Sequence, residues 1–326
     1  MATIKDVAKL AGVSLGTASR VLSGDSRTST DARLKVTAAA AELNYIAHGP
    51  ARSLRRARTD VVGLLVSDIR NPFFSDLAHA AEREARRHGY AVLLANANED
   101  PEQESSSLRT FAAQRIDGLL IAPQGQDQAQ FAALVSAGVP LVFVDRTVPG
   151  VDVPVVASDN AGGIRQAAAW LAGRGRQVIA FVGGPREVST AAERLGAFLD
   201  LRDEFGFSVD ERLVCEGDFR MESGGEIARR VFASGIRPDA FLVADGLMTL
   251  GVVQELHRLA GRGRDVDVVA FDDAPWFGLV SPPVSAVAND AAEIGRRGMR
   301  TLLSVIAGES PAPSRIPTQF IERPGS

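Results

Sequence analysis

Two short helical patterns separated by one glycine constrain the fold of this chain most strongly. Between Thr3 and Leu22, apolar residues recur at three- and four-residue steps, which predicts helices that each bury one face; they are Ile4, Val7, Ala8, Ala11, Val13, Ala18, Val21 and Leu22. Gly12 stands between the patterns, where a short connection needs a backbone position that tolerates positive φ. Thr3 and Ser14 stand at the expected N-caps, and the second helix is expected to run from Leu15 to Leu22. The segment is therefore predicted to be a helix-turn-helix.

A third helix is expected after a polar loop. Ser29 or Thr30 can cap it, and its span is predicted as Asp31 to Leu43. The apolar residues expected to face the first two helices are Leu34, Ala38, Ala41 and Leu43. Residues 1–45 are thus predicted to form a three-helix headpiece.

Charge is distributed unevenly along the chain. Residues 1–58 contain ten Lys and Arg against four Asp and Glu, a balance of +6, and the remainder contains 26 basic against 36 acidic residues. An ordinary helical hairpin explains the apolar stripes equally well, but it does not explain this asymmetry. A basic amino end indicates a nucleic-acid-binding module.

These residues resemble the lactose/galactose repressor family of bacterial transcription regulators. The resemblance begins with IKDVAKLAGVS and SRVL, continues through Asn44-Tyr45 and Ala51–Leu54, and ends with Phe320–Arg323, so it covers essentially the whole chain. It implies the headpiece followed by two doubly wound parallel-sheet lobes like those of periplasmic sugar-binding proteins. It also implies a homodimer, with a tetramer possible, that binds palindromic double-stranded operator DNA and a small-molecule effector without a cofactor or a metal.

The resemblance assigns DNA contacts to the headpiece and to the segment after it. Leu15 and Gly16 occupy base-contacting positions at the start of the second helix, and Arg20 lies one turn further on, where it can bind a guanine edge. Gly16 has no side chain with which to read a base. The complete predicted set is Thr3, Ser14, Leu15, Gly16, Thr17, Ser19, Arg20, Arg27, Tyr45, Arg52, Leu54 and Arg55.

Residues 46–60 have too few apolar side chains to fold alone, so one interpretation is a basic, flexible linker. The resemblance implies instead a hinge helix that orders on DNA and inserts Leu54 into the minor groove. The family's usual proline is replaced by Ala47, and a Gly49-Pro50 pair follows. Since proline suits the first helical position, a hinge helix is predicted from Pro50 to about Arg56.

From Val61 onward, strands alternate with helices such as Phe74–Arg87 and Gly162–Leu171, which predicts parallel sheets covered on both faces. The predicted strands are Val61–Val66, Ala91–Ala95, Gly118–Ile121, Leu141–Val144, Val155–Ala157, Val178–Val182, Ala240–Val243 and Val268–Phe271. The core is expected over residues 61–326. The first lobe is expected at about 61–158 and 290–316, and the second at about 159–289 and 317–326.

Polar residues gather at the carboxyl ends of these strands, the edge at which open α/β sheets bind ligands. They are Asp68, Asn96, Asn98, Asp145, Arg146, Asp159, Asn160, Asp245, Asp272 and Asp273. Each one alone is explained by turn chemistry, because Asp and Asn favour loop starts. The residues predicted to bind the effector are Phe73, Phe74, Asp145, Arg146, Thr190, Arg194, Asp245, Asp272 and Asn289.

A polyhydroxylated ligand needs acceptors, donors and an apolar face. Carboxylates such as Asp145 and Asp272 accept from hydroxyl groups, and guanidinium groups such as Arg146 and Arg194 donate in fixed forks. Phe73, Phe74 and Trp276 offer ring faces. Asp245 departs from the family, which commonly has an asparagine there, so a donor-and-acceptor amide becomes an acceptor only.

Composition excludes several other classes of protein. A single cysteine, Cys215, allows no internal disulfide, and no Cys/His cluster has zinc spacing. No apolar run approaches the roughly 20 residues that span a bilayer, and the amino end is not a signal peptide, so a cytoplasmic location is expected. Gly12–Gly16 spells a hydrolase-elbow motif but joins two helices, where that motif has no function.

The sequence therefore predicts a DNA-binding transcriptional regulator, a repressor relieved by a pentose- or hexose-like sugar bound between two lobes. A nucleobase or nucleoside effector is the main alternative. A transport-type solute-binding protein would have the same lobes, but it would carry a signal peptide and no basic headpiece. An enzyme would require an acid/base pair that the sequence does not place.

Overall fold

The computed structural model describes residues 2–22, 25, 27–45, 58–124, 127–208, 210–259, 266–281 and 283–323. The chain divides into two compact units, Met1–Thr59 and Asp60–Ser326. Among the helices described, none combines the length and the apolar character needed to span a lipid bilayer.

The first unit contains three helices, α1 (Ile4–Leu10), α2 (Leu15–Leu22) and α3 (Thr30–Glu42). Thr3 and Asp6 form a reciprocal capping box at α1, and Gly12 has a φ of 66° in the turn before α2. Ser14 Oγ accepts from the Thr17 amide at 3.1 Å, as Ser29 does from the Ala32 amide at α3. The predicted helix-turn-helix and its caps are confirmed.

The buried face of α3 differs from the prediction. Leu34 is 69% exposed, and Ala38 and Ala41 are exposed as well. The helix instead buries Ala32, Val36 and Ala39 against the other two helices, and of the four predicted residues Leu43 packs against this core. A run of alanines carries little directional information, so the one valine of the helix, Val36, marks the core face.

The predicted hinge helix, with Gly49, Pro50 and the predicted DNA contacts Arg52, Leu54 and Arg55, lies outside the described residues.

The second unit contains two six-stranded sheets. The first has the order β11-β5-β4-β3-β1-β2 and is parallel throughout. Its strands are β1 (Val61–Val66), β2 (Ala91–Asn96), β3 (Leu119–Ile121), β4 (Leu141–Val144), β5 (Val155–Ser158) and β11 (Ser314–Ile316). The second has the order β12-β10-β9-β8-β6-β7, and only β12 is antiparallel to its neighbour. Its strands are β6 (Ile179–Gly183), β7 (Val214–Glu216), β8 (Ala240–Val243), β9 (Asp267–Phe271), β10 (Ser285–Ala288) and β12 (Gln319–Ile321).

Helices cover both faces of each sheet. The first sheet carries α4 (Pro72–Arg87), α5 (Pro101–Gln114), α6 (Gln128–Ser136) and α11 (Ala291–Ile306), and the second carries α7 (Asn160–Gly173), α8 (Ser189–Phe205), α9 (Met221–Ala233) and α10 (Gly246–Arg258). The central strands are buried on both sides, and apolar clusters fill the space between sheet and helix. The two doubly wound lobes that the sequence predicts are thereby confirmed.

Three connections join the lobes. They follow β5, β10 and β11, and they bring the carboxyl ends of both parallel sheets to opposite walls of one cleft. All eight predicted strands are present within about one residue of their predicted ends. The structure adds β7, β10, β11 and β12, which are too short or too polar for the pattern to reveal.

Candidate functional site

Side chains from both lobes meet in this cleft around a small cavity. We define the inner cavity by the residues that line it, which are Asn71, Phe73, Phe74, Asp145, Arg146, Thr190, Arg194, Phe219, Asp245 and Asp272. The structure thus brings together eight of the predicted effector residues. The ninth, Asn289, lies beside them, because its amide donates to Asp272 Oδ1 at 2.6 Å.

Arg146 follows β4 and is fixed on several sides. Both Nη1 and Nη2 donate to the carboxylate of Glu99 at 2.8 Å, and Nη1 also donates to Gln124 Oε1 at 2.7 Å. The guanidinium lies 5.6 Å from the Phe74 ring centroid and 5.0 Å from that of Phe219. Its position is therefore set before any ligand binds.

Arg194, on α8, reaches the cavity from the second lobe. Its Nε donates to Asn160 Oδ1 and its Nη1 to the Ala244 carbonyl, both at 2.8 Å. The guanidinium lies 3.7 Å from the centroid of the Phe271 ring. These contacts hold Arg194 as a buried, oriented cation in the wall of the inner cavity.

Three buried polar atoms of the cleft have no hydrogen-bond partner among the described residues. They are Asp145 Oδ1, Arg146 Nε and Asn289 Oδ1. Arg146 Nε lies 3.7 Å from Asp145 Oδ2, which is too long for a hydrogen bond. Because buried polar groups are nearly always paired, these two acceptors and one donor indicate a polar ligand.

The carboxyl groups of the inner cavity have altered proton affinities. Burial raises the pKa of Asp145 to about 6, although Arg194 and Arg146 oppose this effect. Burial, with the nearby charge of Asp272, raises the pKa of Asp245 to about 7. Burial also raises the pKa of Asp272, and Arg194 and Asn289 act in the opposite direction. Such groups gain most from a ligand whose hydroxyls donate to them.

Backbone strain concentrates around the cavity. The described residues include eight non-glycine residues with positive φ, and five of them surround this site, namely Asn98, Glu99, Asp145, Phe219 and Asp272. Left-handed conformations of ordinary residues cost about 1–3 kcal/mol each and persist mainly where function requires them. Asp145 and Asp272, two of these five residues, line the inner cavity.

Sequence reasoning missed four residues of the site. Asn71 precedes the predicted aromatic pair, and its amide donates to Asp245 Oδ2 at 3.0 Å. Phe219 follows β7, a strand that was not predicted. Glu99 and Gln124 follow β2 and β3 and hold Arg146. The Asn-Pro-Phe-Phe sequence could have revealed Asn71, whereas no local pattern marks the other three.

Other strand-end residues have structural roles. Asp68 pairs with Arg70, Asn96 Oδ1 accepts from the Ile69 amide, and Asn98 Oδ1 accepts from Arg70. Asp159 caps α7, Asn160 orients Arg194, and Asp273 pairs with Arg323. Trp276 packs against Phe277, with ring centroids 4.2 Å apart, and it is not among the residues that line the inner cavity. No group of three or more His, Cys, Asp or Glu in the described parts of the chain has the geometry to hold a metal ion.

Some of the predicted DNA-binding side chains are exposed on the headpiece, and others take part in its helix capping or its packing. Leu15 is 46% exposed at the start of α2, and Gly16 and Arg20 are exposed further along the helix. Thr3, Ser14 and Thr17 take part in helix capping, Ser19 is half-buried, and Tyr45 packs against the headpiece core. Arg27 pairs with Asp25 at 3.0 Å while its side chain stays 85% exposed.

Two family models match the chain in tandem. Residues 3–48 match the lacI family of bacterial regulatory proteins, and residues 59–324 match the periplasmic binding proteins and sugar-binding domain of the LacI family.

Relatives match over nearly the full length. The ribose operon repressor of Bacillus subtilis is 33% identical, with 99% of this chain and 98% of the relative covered. A complex of the transcriptional regulator CelR with cellobiose has 31% identity, a TM-score of 0.75 and complete coverage of both chains. The Lac repressor dimer bound to operator and the anti-inducer ONPF has 28% identity, a TM-score of 0.87 and coverage of 99% and 98%. The chain belongs to the LacI family of bacterial transcriptional regulators, with a helix-turn-helix headpiece and a sugar-binding-type core.

Proposed function

We propose that this regulator is a repressor that binds a palindromic operator as a homodimer and releases it when a small pentose- or hexose-like sugar enters the inner cavity. The observation that carries the proposal is the set of buried atoms without partners, Asp145 Oδ1, Arg146 Nε and Asn289 Oδ1. They combine two acceptors and one donor, which is what a ring with several hydroxyl groups can satisfy.

The cavity also offers apolar surface. Phe73 and Phe74 pack edge to face with centroids 5.0 Å apart, and Phe219 lies opposite on the second lobe. The C–H faces of a sugar ring fit such surfaces, while carboxylates and guanidiniums hold its hydroxyl edges. The relatives named above support a sugar over a nucleoside.

The effector would act by joining the lobes. Asp145 and Arg146 belong to the first lobe, and Arg194, Asp245 and Asp272 belong to the second. A ligand that bonds to both sets favours the closed arrangement, and it shifts DNA affinity only by its differential affinity for the two arrangements.

DNA recognition would rest on α2 and the following basic segment. Leu15 and Arg20 would reach base edges, and Arg27 would contact phosphate. Residues 46–60 would connect headpiece to core as a hinge, with Leu54 as a minor-groove wedge flanked by Arg52 and Arg55. The domain division into 1–45, 46–60 and 61–326, with the lobe boundaries predicted from the sequence, is part of the proposal.

Calorimetry with pentoses, hexoses, polyols and nucleosides tests the effector site. Asp272→Ala and Arg146→Ala should each weaken the best wild-type ligand about tenfold or more, because each leaves a buried charged partner unsatisfied at roughly 1–3 kcal/mol. Asp76→Asn, on the exposed side of α4, serves as the control. If the ligand binds both cavity variants as it binds the wild type, the site lies elsewhere.

A further inference from the structure

Charge in the cleft is strongly biased toward acid. The inner cavity and the residue that pairs with Arg146 together contain four carboxyl groups, those of Glu99, Asp145, Asp245 and Asp272. Only two cations, Arg146 and Arg194, face them. The neighbouring Arg315 is itself paired with Glu193 at 3.0 Å, so it does not change this balance.

Glu99 pairs with the guanidinium group of Arg146, so that this group is not available to bind an anion. Glu99 and Gln124 accept from Nη1 and Nη2 of Arg146 at 2.7–2.8 Å, and these bonds use three of its five N–H groups. The side chains of Arg146 and Glu99 are only 4% and 9% exposed. Because this forked pair is buried, the carboxylate neutralises the guanidinium where a phosphate or carboxylate ligand would otherwise bind.

The mouth of the cleft has the same bias. We define the mouth by Glu99, Pro101, Gln124, Pro185, Glu187, Val188, Asp218 and Arg220, which line the adjoining cavity. It holds three carboxylates and one guanidinium. Anions are favoured by Arg220 and by the N-termini of α8 and α9, neither of which has a side-chain cap. Glu187 and Glu99 border the same cavity and oppose that effect.

The charges of the cavity act in both directions on its carboxyl groups. At Asp245 the charges of Asp272 and Glu99 raise the pKa in addition to burial, and Arg194 opposes them. At Asp145 and Asp272, burial raises the pKa, and the guanidinium groups of Arg194 and Arg146 lower it. The surroundings of Asp245 therefore disfavour a second anion.

We propose that the cleft selects an uncharged sugar or polyol and rejects sugar phosphates and sugar acids, with Glu99 as the residue that sets this selectivity through Arg146. This inference rests on the proposed sugar-binding function and narrows its ligand class. Glu99 is a positioning residue, since it acts on the ligand through the guanidinium it holds.

The test uses the full-length protein and matched probes. Each neutral sugar is titrated beside its charged forms, namely ribose with ribose 5-phosphate and ribonate, and glucose with glucose 6-phosphate and gluconate. For the sugar skeleton that binds, the neutral form should bind at least 100-fold more tightly than either anion. In Glu99→Gln this ratio should fall at least tenfold, with most of the change in the anion's affinity.

Glu102→Gln is the matched control, because it removes the same charge three residues away from an exposed position. It should leave the ratio unchanged. Thermal unfolding and retained binding of the neutral sugar establish that Glu99→Gln is folded. If this variant does not fold, the ratio of neutral-sugar to anion affinity in the wild-type protein decides the test alone.

Two outcomes overturn the proposal in different ways. A phosphate or acid that binds more tightly than its neutral parent overturns the charge selectivity and leaves the sugar-regulated repressor intact. If no sugar in either form binds, both proposals fail.

Discussion

The side-chain amide of Asn71 donates to Oδ2 of Asp245 at 3.0 Å, and each residue also caps the helix that follows it. Asn71 begins α4 in the first lobe and Asp245 begins α10 in the second. One buried hydrogen bond therefore joins two helix N-termini across the cleft. It favours the closed arrangement of the lobes without a ligand.

Asn71→Asp should convert this attraction into a repulsion. Aspartate caps a helix as well as asparagine does, so α4 should remain intact while two carboxylates meet in a buried place. We expect the thermal midpoint at pH 8 to fall by several degrees and to recover partly at pH 5.5, where the pair can share a proton. Asn71→Ser keeps a cap without the charge and should show a smaller, pH-independent loss. Equal behaviour of the two variants would contradict this interpretation.

Asp245 should make the unliganded protein less stable as pH rises. Its pKa is about 7 in the folded state against an ordinary value of 3.8, so the folded state binds more protons between these values. The contribution of protonated Asp245 to the stability of the folded state is fully present below pH 4 and is lost as pH rises through 7. Asp245→Asn cannot ionise, so its thermal midpoint should fall less between pH 5 and 8 than the wild-type midpoint, by a few degrees. Asp76→Asn, exposed on α4, should retain the wild-type slope; if Asp245→Asn retains it too, the assigned pKa is wrong.

Phe219 should reveal backbone strain at the cavity. It has a φ of 62°, and its ring lies so near Gly184 that an added Cβ there would approach it to 2.1 Å. Phe219→Gly and Phe219→Ala lose the same ring, so both should bind the effector more weakly. At ordinary positions alanine is the more stable of the two by about 0.4–1 kcal/mol. Here the glycine variant should be more stable in urea unfolding, because it accepts positive φ; the usual order would contradict the strain.

Arg20 and Arg27 should affect DNA binding differently. If Arg20 reads a guanine edge, Arg20→Ala should relax base preference at one symmetric pair of operator positions, at about 1–3 kcal/mol. Arg27, whose exposed side chain pairs with Asp25, should act as a phosphate contact, so Arg27→Ala should weaken all sequences alike. A binding selection with both variants distinguishes these roles. Uniform weakening by Arg20→Ala would show that it too contacts phosphate.

The sequence predicted the features that local spacing determines. The headpiece is predicted by local features that lie close together in the sequence, namely apolar residues at helical spacing, Gly12 in the turn, and the N-caps Thr3 and Ser14. Buried strands are recognised as apolar runs. The buried face of α3 was predicted wrongly because four consecutive alanines obscure its phase, and only Val36 identifies it.

The cavity could be predicted only in part, because its polar residues mark strand ends while their pairing is a property of the fold. Glu99 binds Arg146 from 47 residues away, and Asn71 reaches Asp245 from 174 residues away. Nothing in the sequence near Glu99 indicates that its carboxylate neutralises the guanidinium. Phe219 was missed because β7, which precedes it, has only three residues and ends in a glutamate.

Fluorescence anisotropy on the operator found by binding selection, with the sugar identified by calorimetry, tests the central claim most directly. The wild-type protein should lose at least tenfold in operator affinity when the sugar is saturating. Asp272→Ala should bind the same operator within twofold of wild type and should not respond to the sugar at that concentration. If the sugar occupies the cleft of the wild type and operator affinity stays the same, the cleft does not control DNA binding and the account is wrong.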